Sequence, residues 1–198
     1  ALAICEAGAS EIVVHARTKV HGYRPPAYWE RIADLRREVK LPLVANGEIW
    51  TVDDALRAQA ASGCTSLMLG RGIVADPGLA LAIRAAVAAQ VAPPAQATEI
   101  ITTDQPQPEG RPGSATAFAA PLSPSLPPYV PWAQVQPLLH SFWQLVEGRV
   151  ERRHRAGRLK QWLNLLRRRY PEAQTAFDEL RTTNDADALG AWLLRSRG

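Results

Sequence analysis

The stretch Leu41–Gly72, LPLVANGEIWTVDDALRAQAASGCTSLMLGRG, contains the pattern that decides the fold. Two short apolar runs, Leu41–Ala45 and Leu67–Leu69, each end in a polar turn that contains glycine. The segment between them, Thr51–Ser62, is rich in alanine and acidic at its start, as helices often are. Strands that helices cover on both faces have continuous apolar sequences. The stretch therefore predicts a strand, a helix and a second, parallel strand.

The same alternation extends toward the amino terminus and beyond Gly72. Glu11–His15 predicts an earlier strand, and Trp29–Val39 predicts the helix that follows it. Ala1–Ala7 has the pattern of a helix end, and a further helix is expected to begin near Pro77. Strands alternating with helices in this way indicate a run of βα units.

Three βα units neither close a barrel nor make a good open sheet. The pattern suits the last three units of a TIM (β/α)8 barrel whose first five units are absent. The chain also begins in mid-helix, and its only methionine is Met68, inside a predicted strand. We therefore expect a fragment of a longer protein.

Composition divides the chain into three parts. Residues 1–90 hold the βα units. Residues 91–130 are dense in Pro, Ala, Gln, Ser and Thr, which predicts a disordered insertion or linker. Residues 131–198 predict a small bundle of four helices: one from Trp132, one over about Glu151–Tyr170, one from Pro171 and one capped by Asn184-Asp185. The predicted fold class is α/β followed by all-α.

Positive charge is concentrated at the carboxyl-terminal end. The whole chain has a formal net charge of +4, and residues 131–198 carry 12 basic and 7 acidic side chains. Between Arg149 and Arg169 there are nine basic residues and one acidic residue, Glu151. A solvated helix face is one explanation of such a run. The excess exceeds what solubility needs and favours a nucleic-acid partner.

Polar residues follow each predicted strand, where the carboxyl ends of parallel strands share one edge. Functional groups of barrels gather at this edge, and phosphate is often bound by the loops after the last two strands. The residues there are His15, Asn46, Gly47, Glu48, Gly70 and Arg71. We expect the Asn46-Gly47 amides to face a cofactor ring and Arg71 to hold its phosphate. The alternative is that these are ordinary loop polar residues, and a structural role is equally open for His15.

The two cysteines, Cys5 and Cys64, lack the spacing of a disulfide framework or a metal site. Both are expected to be inert packing residues, and no metal is expected. No run of the sequence is long and apolar enough to cross a membrane, and no signal peptide is visible. A cytoplasmic location is therefore expected.

Four motifs together resemble the tRNA-dihydrouridine synthases, in particular their bacterial subfamily C. They are HARTK and GYR within residues 15–24, LPLVANGEIW at 41–50, SGC with LMLGRG within 62–72, and AGRLKQWL at 156–163. In the last motif Gly157 stands as an extra spacer. The resemblance covers residues 1–90 and 131–198 and leaves out the proline-rich segment.

The resemblance implies a barrel that binds FMN, reduction of the flavin by NADPH, and a helical domain that docks tRNA. The implied reaction reduces a D-loop uridine to 5,6-dihydrouridine. The cofactor residues implied by similarity are His15, Asn46, Gly47, Glu48, Gly70 and Arg71. The implied tRNA-binding residues are Tyr23, Arg158, Lys160 and Arg181. Leu165 stands where the subfamily usually has a tyrosine.

The family's proton-donor cysteine belongs to an earlier barrel segment that this chain does not contain. Neither Cys5 nor Cys64 matches it, so no catalytic residue is assigned, and the chain alone is not expected to catalyse. A non-catalytic RNA-binding remnant and a small-molecule flavin barrel oxidoreductase are the alternatives. The basic carboxyl-terminal part speaks against the latter, because a small substrate needs no such surface. A monomer is expected.

Overall fold

A computed structural model describes residues 1–20, 22, 24–91 and 130–196. The amino-terminal unit consists of α1 (Leu2–Glu6), β1 (Ile12–His15), α2 (Glu30–Glu38), β2 (Leu43–Asn46), α3 (Val52–Ser62), β3 (Ser66–Met68), α4 (Arg71–Ala75) and α5 (Leu79–Val91). The carboxyl-terminal unit consists of α6 (Trp132–Arg149), α7 (Arg152–Leu166), α8 (Pro171–Leu180) and α9 (Ala186–Arg195). Apart from its two ends, the predicted insertion at 91–130 lies outside the described residues.

The three strands form one parallel sheet in the order β1-β2-β3, which confirms the predicted βα arrangement. His15 is aligned with Asn46, and Asn46 with Met68. The strand bounds differ from the prediction mainly at β2, which starts at Leu43 and includes Asn46. Pro42 precedes the strand because it has no N–H to give to the ladder, although its carbonyl accepts from Ile12 N at 3.0 Å.

One face of the sheet is packed and the other is open. Leu43 and Ala45 point toward α2 and are buried against Ile32. On the opposite face Val13 and Met68 are 41% and 42% exposed. Parallel sheets are ordinarily covered on both faces. Three sequential parallel strands with one bare face agree with part of a βα barrel.

The helix between the second and third strands has well-defined ends. Thr51 Oγ1 accepts from Asp54 N at 3.1 Å, and Asp54 Oδ2 accepts from Thr51 N at 3.0 Å, which makes a capping box. The same carboxylate oxygen accepts from Trp50 N at 3.0 Å. Gly63 ends the helix in the left-handed conformation, with φ of 69°. The chain between β2 and α3 is therefore held in one conformation beside the strand end.

The carboxyl-terminal helices enclose a core of their own. Leu159, Leu163 and Leu166 of α7 and Tyr170 after it are each 0% exposed in this core, and Trp162 of α7 packs against it partly buried. The helix ends at Leu166, however, and not at Tyr170 as predicted. The residue before a proline disfavours helical angles, and Tyr170 before Pro171 is extended, with φ of −116° and ψ of 114°. Residues 167–169 therefore form a turn.

The two units touch along α4 and α7. Trp162 Nε1 donates to Val74 O at 3.0 Å, and Arg169 Nε lies 3.2 Å from Asp76 Oδ2. Among the described residues the bundle core includes none from the βα unit, and both contacts named at this junction are polar. In the part of the chain that the structure describes, no helix is long and apolar enough to span a membrane.

Candidate functional site

The carboxyl edge of the sheet brings His15, Asn46 and Gly70 together. The pairing of His15 with Asn46 continues through Ala16 N, which donates to Asn46 O at 2.7 Å. A Cβ placed on Gly70 would lie 3.9 Å from Asn46 Oδ1, which sets Gly70 beside the Asn46 side chain. Gly70 has φ of 54° and ψ of −121°, a conformation that only glycine adopts readily. These three predicted site residues therefore share one edge.

Glu48 is the electrostatic centre of this edge. Its Oε1 lies 2.8 Å from Arg17 Nη2 and 3.6 Å from Arg71 Nη2. Its Oε2 accepts from Trp50 Nε1 at 3.0 Å. The approach of Arg17 is a close ion pair without the direction of a good hydrogen bond, since Arg17 Nη2 has no hydrogen-bond partner among the described residues. One carboxylate thus contacts two guanidinium groups and one indole.

These contacts keep Glu48 ionised. Partial burial raises the pKa of Glu48, but the indole hydrogen bond from Trp50 and the charges of Arg17 and Arg71 lower it by more. The net pKa lies below the ordinary value of a glutamate. At neutral pH the group is therefore a carboxylate that holds cations in place, not a proton donor.

The turn at Gly47 is fixed by close packing. Gly47 has φ of 134°, and a Cβ there would lie 3.3 Å from Ala16 Cβ. Trp29 Nε1 donates to Gly47 O at 2.8 Å, and Arg17 Nε donates to Pro26 O at 3.1 Å. The side chain of Arg17 is only 1% exposed. Arg17 is therefore a buried support of the turn, whereas Arg71, at 50% exposed, reaches solvent.

The arrangement fits a planar ring that carries a phosphate. His15 and Asn46 stand at the carboxyl edge, on the same side of the sheet as the bare residues. Gly70 leaves the backbone open, and the half-exposed Arg71 supplies a guanidinium beside it. A guanidinium matches the geometry of phosphate oxygens. The side chains and the open backbone at this edge are thus of the chemical types that bind a flavin mononucleotide.

The residues predicted to bind tRNA occupy two separate places. Lys160 Nζ donates to Arg181 O at 3.2 Å and to Asn184 Oδ1 at 2.8 Å, so Lys160 and Arg181 belong to one surface. Arg158 is two positions from Lys160 on α7, and residues at that spacing do not share a face. It lines a cavity of about 440 Å³ together with Val74 and Trp162, next to the βα unit. Tyr23 lies outside the described residues.

The basic run between Arg149 and Arg169 is only partly available to a ligand. Arg155 donates to the backbone of Val150 and Glu147, Arg167 stacks on Phe177, Arg168 stacks on Trp50, and Arg169 pairs with Asp76. These arginines stabilise the fold, which the count of nine basic residues did not anticipate. Arg158, by contrast, is exposed and makes no hydrogen bond or ion pair with another described residue.

The cysteines lie away from the strand ends. Cys64, between α3 and β3, is 3% exposed and belongs to the core under the sheet, and the half-buried Cys5 packs against the same core. Both are packing residues, as predicted. Within residues 1–20, 22, 24–91 and 130–196, no three His, Cys, Asp or Glu side chains form a group suited to a metal ion.

Comparison with known proteins assigns the chain to a family. The family described as Dihydrouridine synthase (Dus) matches residues 1–106. The chain belongs to the dihydrouridine synthase family. The matched region contains all the strand-end residues and extends into the proline-rich segment, which the resemblance was expected to leave out. Curated relatives extend the similarity to the helical unit.

Those relatives are named tRNA-dihydrouridine(16) synthase. The protein of Aquipseudomonas alcaligenes is 41% identical over 196 residues, which is 99% of this chain and 51% of the relative. The protein of Pseudomonas syringae pv. tomato is 40% identical over 189 residues, 96% of this chain and 49% of the relative. That of Ralstonia nicotianae is 38% identical over 191 residues, 96% of this chain and 48% of the relative. The chain spans about half the length of the curated relatives it matches.

Three residues of the strand-end cluster were not anticipated from the sequence. Arg17 and Trp50 contact Glu48, and Trp29 binds the carbonyl of Gly47. Arg17 and Trp50 each stand two residues from a predicted site residue, which is a usable signal. Trp29 is 18 positions from its partner, and its periodicity indicated only a helix.

Proposed function

We propose that this chain is the carboxyl-terminal part of a tRNA-dihydrouridine synthase that reduces a D-loop uridine. The supporting observation is that relatives of this name match the chain at about 40% identity through both the strand-end site and the basic helical unit. In this proposal residues 1–90 belong to a TIM barrel, residues 91–130 are an insertion or linker, and residues 131–198 bind RNA. The place of action is the cytoplasm, where tRNA is found.

FMN, reduced by NADPH, would supply the hydride that saturates the uracil double bond. His15, Asn46, Gly47 and Glu48 would line the flavin site, and Gly70 with Arg71 would hold the phosphate. The buried ion pair of Glu48 with Arg17 would keep the turn rigid around the ring. Neither Cys5 nor Cys64 lies at this edge, so the proton for the second uracil carbon would come from a group outside this chain.

The bare face of the sheet supports the barrel assignment. Val13 and Met68 on that face are 41% and 42% exposed. Leaving such residues in water forgoes the stabilisation that burial of apolar area gives. The remaining strands of a barrel would cover this face and close the ring around the strand ends.

The helical unit would carry the tRNA. Arg158, Lys160 and Arg181 are the proposed contacts, and Tyr23 is proposed to add a further one. Lys160 and Arg181 share one surface and Arg158 lies on a different face of α7, which implies contacts to phosphates at different points of the RNA backbone rather than to a single phosphate. Phosphate contacts orient an RNA without reading its sequence. Such contacts would present a target uridine to the flavin site, because enzymes that modify a base extrude it from its stack.

The test is deletion of the gene that encodes this chain in its own organism. Total tRNA is digested to nucleosides and fragments and analysed by mass spectrometry. We expect one D-loop dihydrouridine to revert to uridine, lighter by two hydrogen atoms, at the position that the relatives' names designate 16. Complementation with the intact gene should restore it.

Unchanged dihydrouridine in the deletion strain would refute the proposed reaction. If purified chain then still bound tRNA, the function would be that of an RNA-binding protein without catalysis. If it bound flavin but no tRNA, a small-molecule oxidoreductase would be supported instead.

A further inference from the structure

Trp50 is held by its backbone and by its side chain. Its N–H donates to Asp54 Oδ2 at 3.0 Å, which ties it to the first turn of α3. Its indole Nε1 donates to Glu48 Oε2 at 3.0 Å, which ties it to the turn after β2. The ring is half-buried. The position of the indole is therefore fixed from within the βα unit.

Two arginines from different units approach the Trp50 ring. Arg71 Cζ, at the start of α4, lies 5.1 Å from the ring centroid. Arg168 Cζ, in the turn after α7, lies 4.2 Å from it. Both distances are within the range of cation–π attraction. The Trp50 ring thus contacts both Arg71, the residue proposed to bind the phosphate, and Arg168 of the helical unit.

Glu48 completes the arrangement. Its Oε1 is 3.6 Å from Arg71 Nη2, and its Oε2 accepts from the same indole that Arg71 approaches. Arg71 is consequently located by a carboxylate and an aromatic ring that are themselves bonded to each other. Two cations, Arg17 and Arg71, contact this carboxylate, and a third, Arg168, approaches the indole that donates to it, which leaves net positive charge around Glu48 and Trp50.

Near Trp50 the junction of the two units is open. A cavity of about 450 Å³ lies there, lined in part by Trp50, Asp76, Arg168 and Arg169. Arg168 on Trp50 and Arg169 on Asp76 cross this gap. Movement of the turn 167–169 would therefore change the contact of Arg168 with the Trp50 ring.

We propose that Trp50 is a positioning residue, which orients Arg71 for an anionic phosphate and links that orientation to docking of the helical unit through Arg168. The inference rests on the proposed function in taking the anion to be the phosphate of FMN. It goes beyond that function because it assigns a role to Trp50 and Arg168, neither of which need touch the cofactor.

The test compares binding of FMN with binding of riboflavin, which has the same ring and no phosphate, by flavin fluorescence on the full chain. Trp50→Leu removes the ring and its N–H, and Trp50→Phe keeps an aromatic face. Arg71→Met shows how much FMN affinity is lost when the proposed phosphate contact is removed. Trp192→Leu is the matched control, because Trp192 makes the same type of bond, Nε1 to Glu179 Oε2 at 2.7 Å, within the bundle.

We expect Trp50→Leu to lower the FMN affinity about tenfold and the riboflavin affinity by less than about twofold. Arg168→Gln should change the ratio of the two affinities in the same direction by a smaller factor. Trp50→Phe should retain most of the wild-type preference for FMN over riboflavin. Trp192→Leu should leave the ratio unchanged. Equal losses for the two ligands in Trp50→Leu, or an unchanged ratio, would overturn the positioning role alone. A wild-type chain that does not prefer FMN would overturn both this role and the proposed flavin site.

A second measurement needs no ligand. The side-chain Nε–H resonance of Arg71 should be shifted upfield by the ring current of Trp50 in the wild-type chain. It should move toward the position of a free arginine in Trp50→Leu, move less in Trp50→Phe and stay in place in Trp192→Leu. A resonance that does not move in folded Trp50→Leu would contradict the proposal independently of flavin binding.

Discussion

Trp162 Nε1 and Val74 O are joined by a hydrogen bond of 3.0 Å that sets the middle of the basic helix α7 against the short helix α4. Because α4 begins at Arg71, this bond places the proposed RNA-binding helix next to the proposed phosphate site. Arg169 with Asp76 adds an ion pair at the same junction. The hydrogen bond and the ion pair thus hold the proposed RNA-binding unit in direct contact with the unit that carries the proposed phosphate site.

The first prediction concerns that bond. Trp162→Phe keeps most of the ring and removes the N–H, so the free energy of unfolding should fall by about 1 kcal/mol. Urea denaturation measures the change. Limited proteolysis should also cut the turn at 167–169 faster, because the junction opens more often. Trp192→Phe, which loses a bond inside the bundle, should lower stability without this change in cutting. Equal cutting rates in both variants would contradict a docking role for Trp162.

Gly72 is required by close packing of α4 on the segment after β2. A Cβ at Gly72 would lie 2.0 Å from Ile49 O and 3.1 Å from Leu79 Cδ2. Gly72→Ala should therefore destabilise the chain by about 1–3 kcal/mol, or prevent α4 from docking. Gly157→Ala is the control, because nothing lies within 4 Å of its added Cβ on α7. That variant should gain about 0.5–1 kcal/mol. Chemical denaturation of the two variants would decide, and similar stabilities would show the clash to be relieved elsewhere.

Glu48 should make stability depend on pH. Its pKa is lower in the folded chain than in the unfolded one, so its stabilising effect is complete above the unfolded value and disappears as the pH falls through the folded value. Glu48→Gln should lower the free energy of unfolding by about 1–3 kcal/mol at neutral pH. The difference from wild type should shrink once the pH falls below about 4, near the ordinary pKa of glutamate.

Urea denaturation at a series of pH values measures this difference. The exposed Asp34, which pairs with Arg37 on α2, provides the control variant Asp34→Asn, with an expected effect below about 0.5 kcal/mol at every pH. A difference for Glu48→Gln that grows in acid would show the sign of the argument to be wrong.

RNA binding should depend on salt and on Arg158. Arg158→Gln should weaken tRNA binding and reduce the slope of log affinity against log salt by about 1, the loss of one phosphate contact. Charge reversal at Arg158 or Lys160 should weaken binding further. Arg37→Gln, on α2 and paired with Asp34, should leave the slope unchanged. Filter binding at several salt concentrations gives the slopes, and no effect of charge reversal would refute the assignment.

Lys160 should behave differently from Arg158 because it also holds the loop between α8 and α9. Its bonds to Arg181 O and Asn184 Oδ1 are lost in Lys160→Gln, so thermal stability should fall together with RNA affinity. Arg158→Gln should leave thermal stability within about 0.5 kcal/mol of wild type, since Arg158 is exposed and has no described partner. The two effects separate a residue that contacts RNA from one that also shapes the surface. Equal stability of both variants would remove the structural role of Lys160.

The sequence by itself determined the order of the elements, the parallel sheet and the shared edge of His15, Asn46 and Gly70. These follow from features that are local along the chain: apolar runs, helical periodicity, and the rule that parallel strands end at one edge. The apolar face of α7 was predictable for the same reason, because the interval between buried residues is a property of the helix itself. The motif resemblance supplied the family, which the comparisons confirmed.

Only the tertiary structure decided how the charges are paired. Nothing local distinguishes Arg158, which faces solvent, from Arg168, which stacks on Trp50 from 118 positions away along the chain. The role of Trp29 in fixing Gly47, and that of Arg17 as a buried partner of Glu48, also depend on packing between elements. An arginine has the same formal charge wherever it lies, but its partner is chosen by distance in space and by burial. Long-range packing therefore divided the basic residues into those that stabilise the fold and those that are open to a ligand.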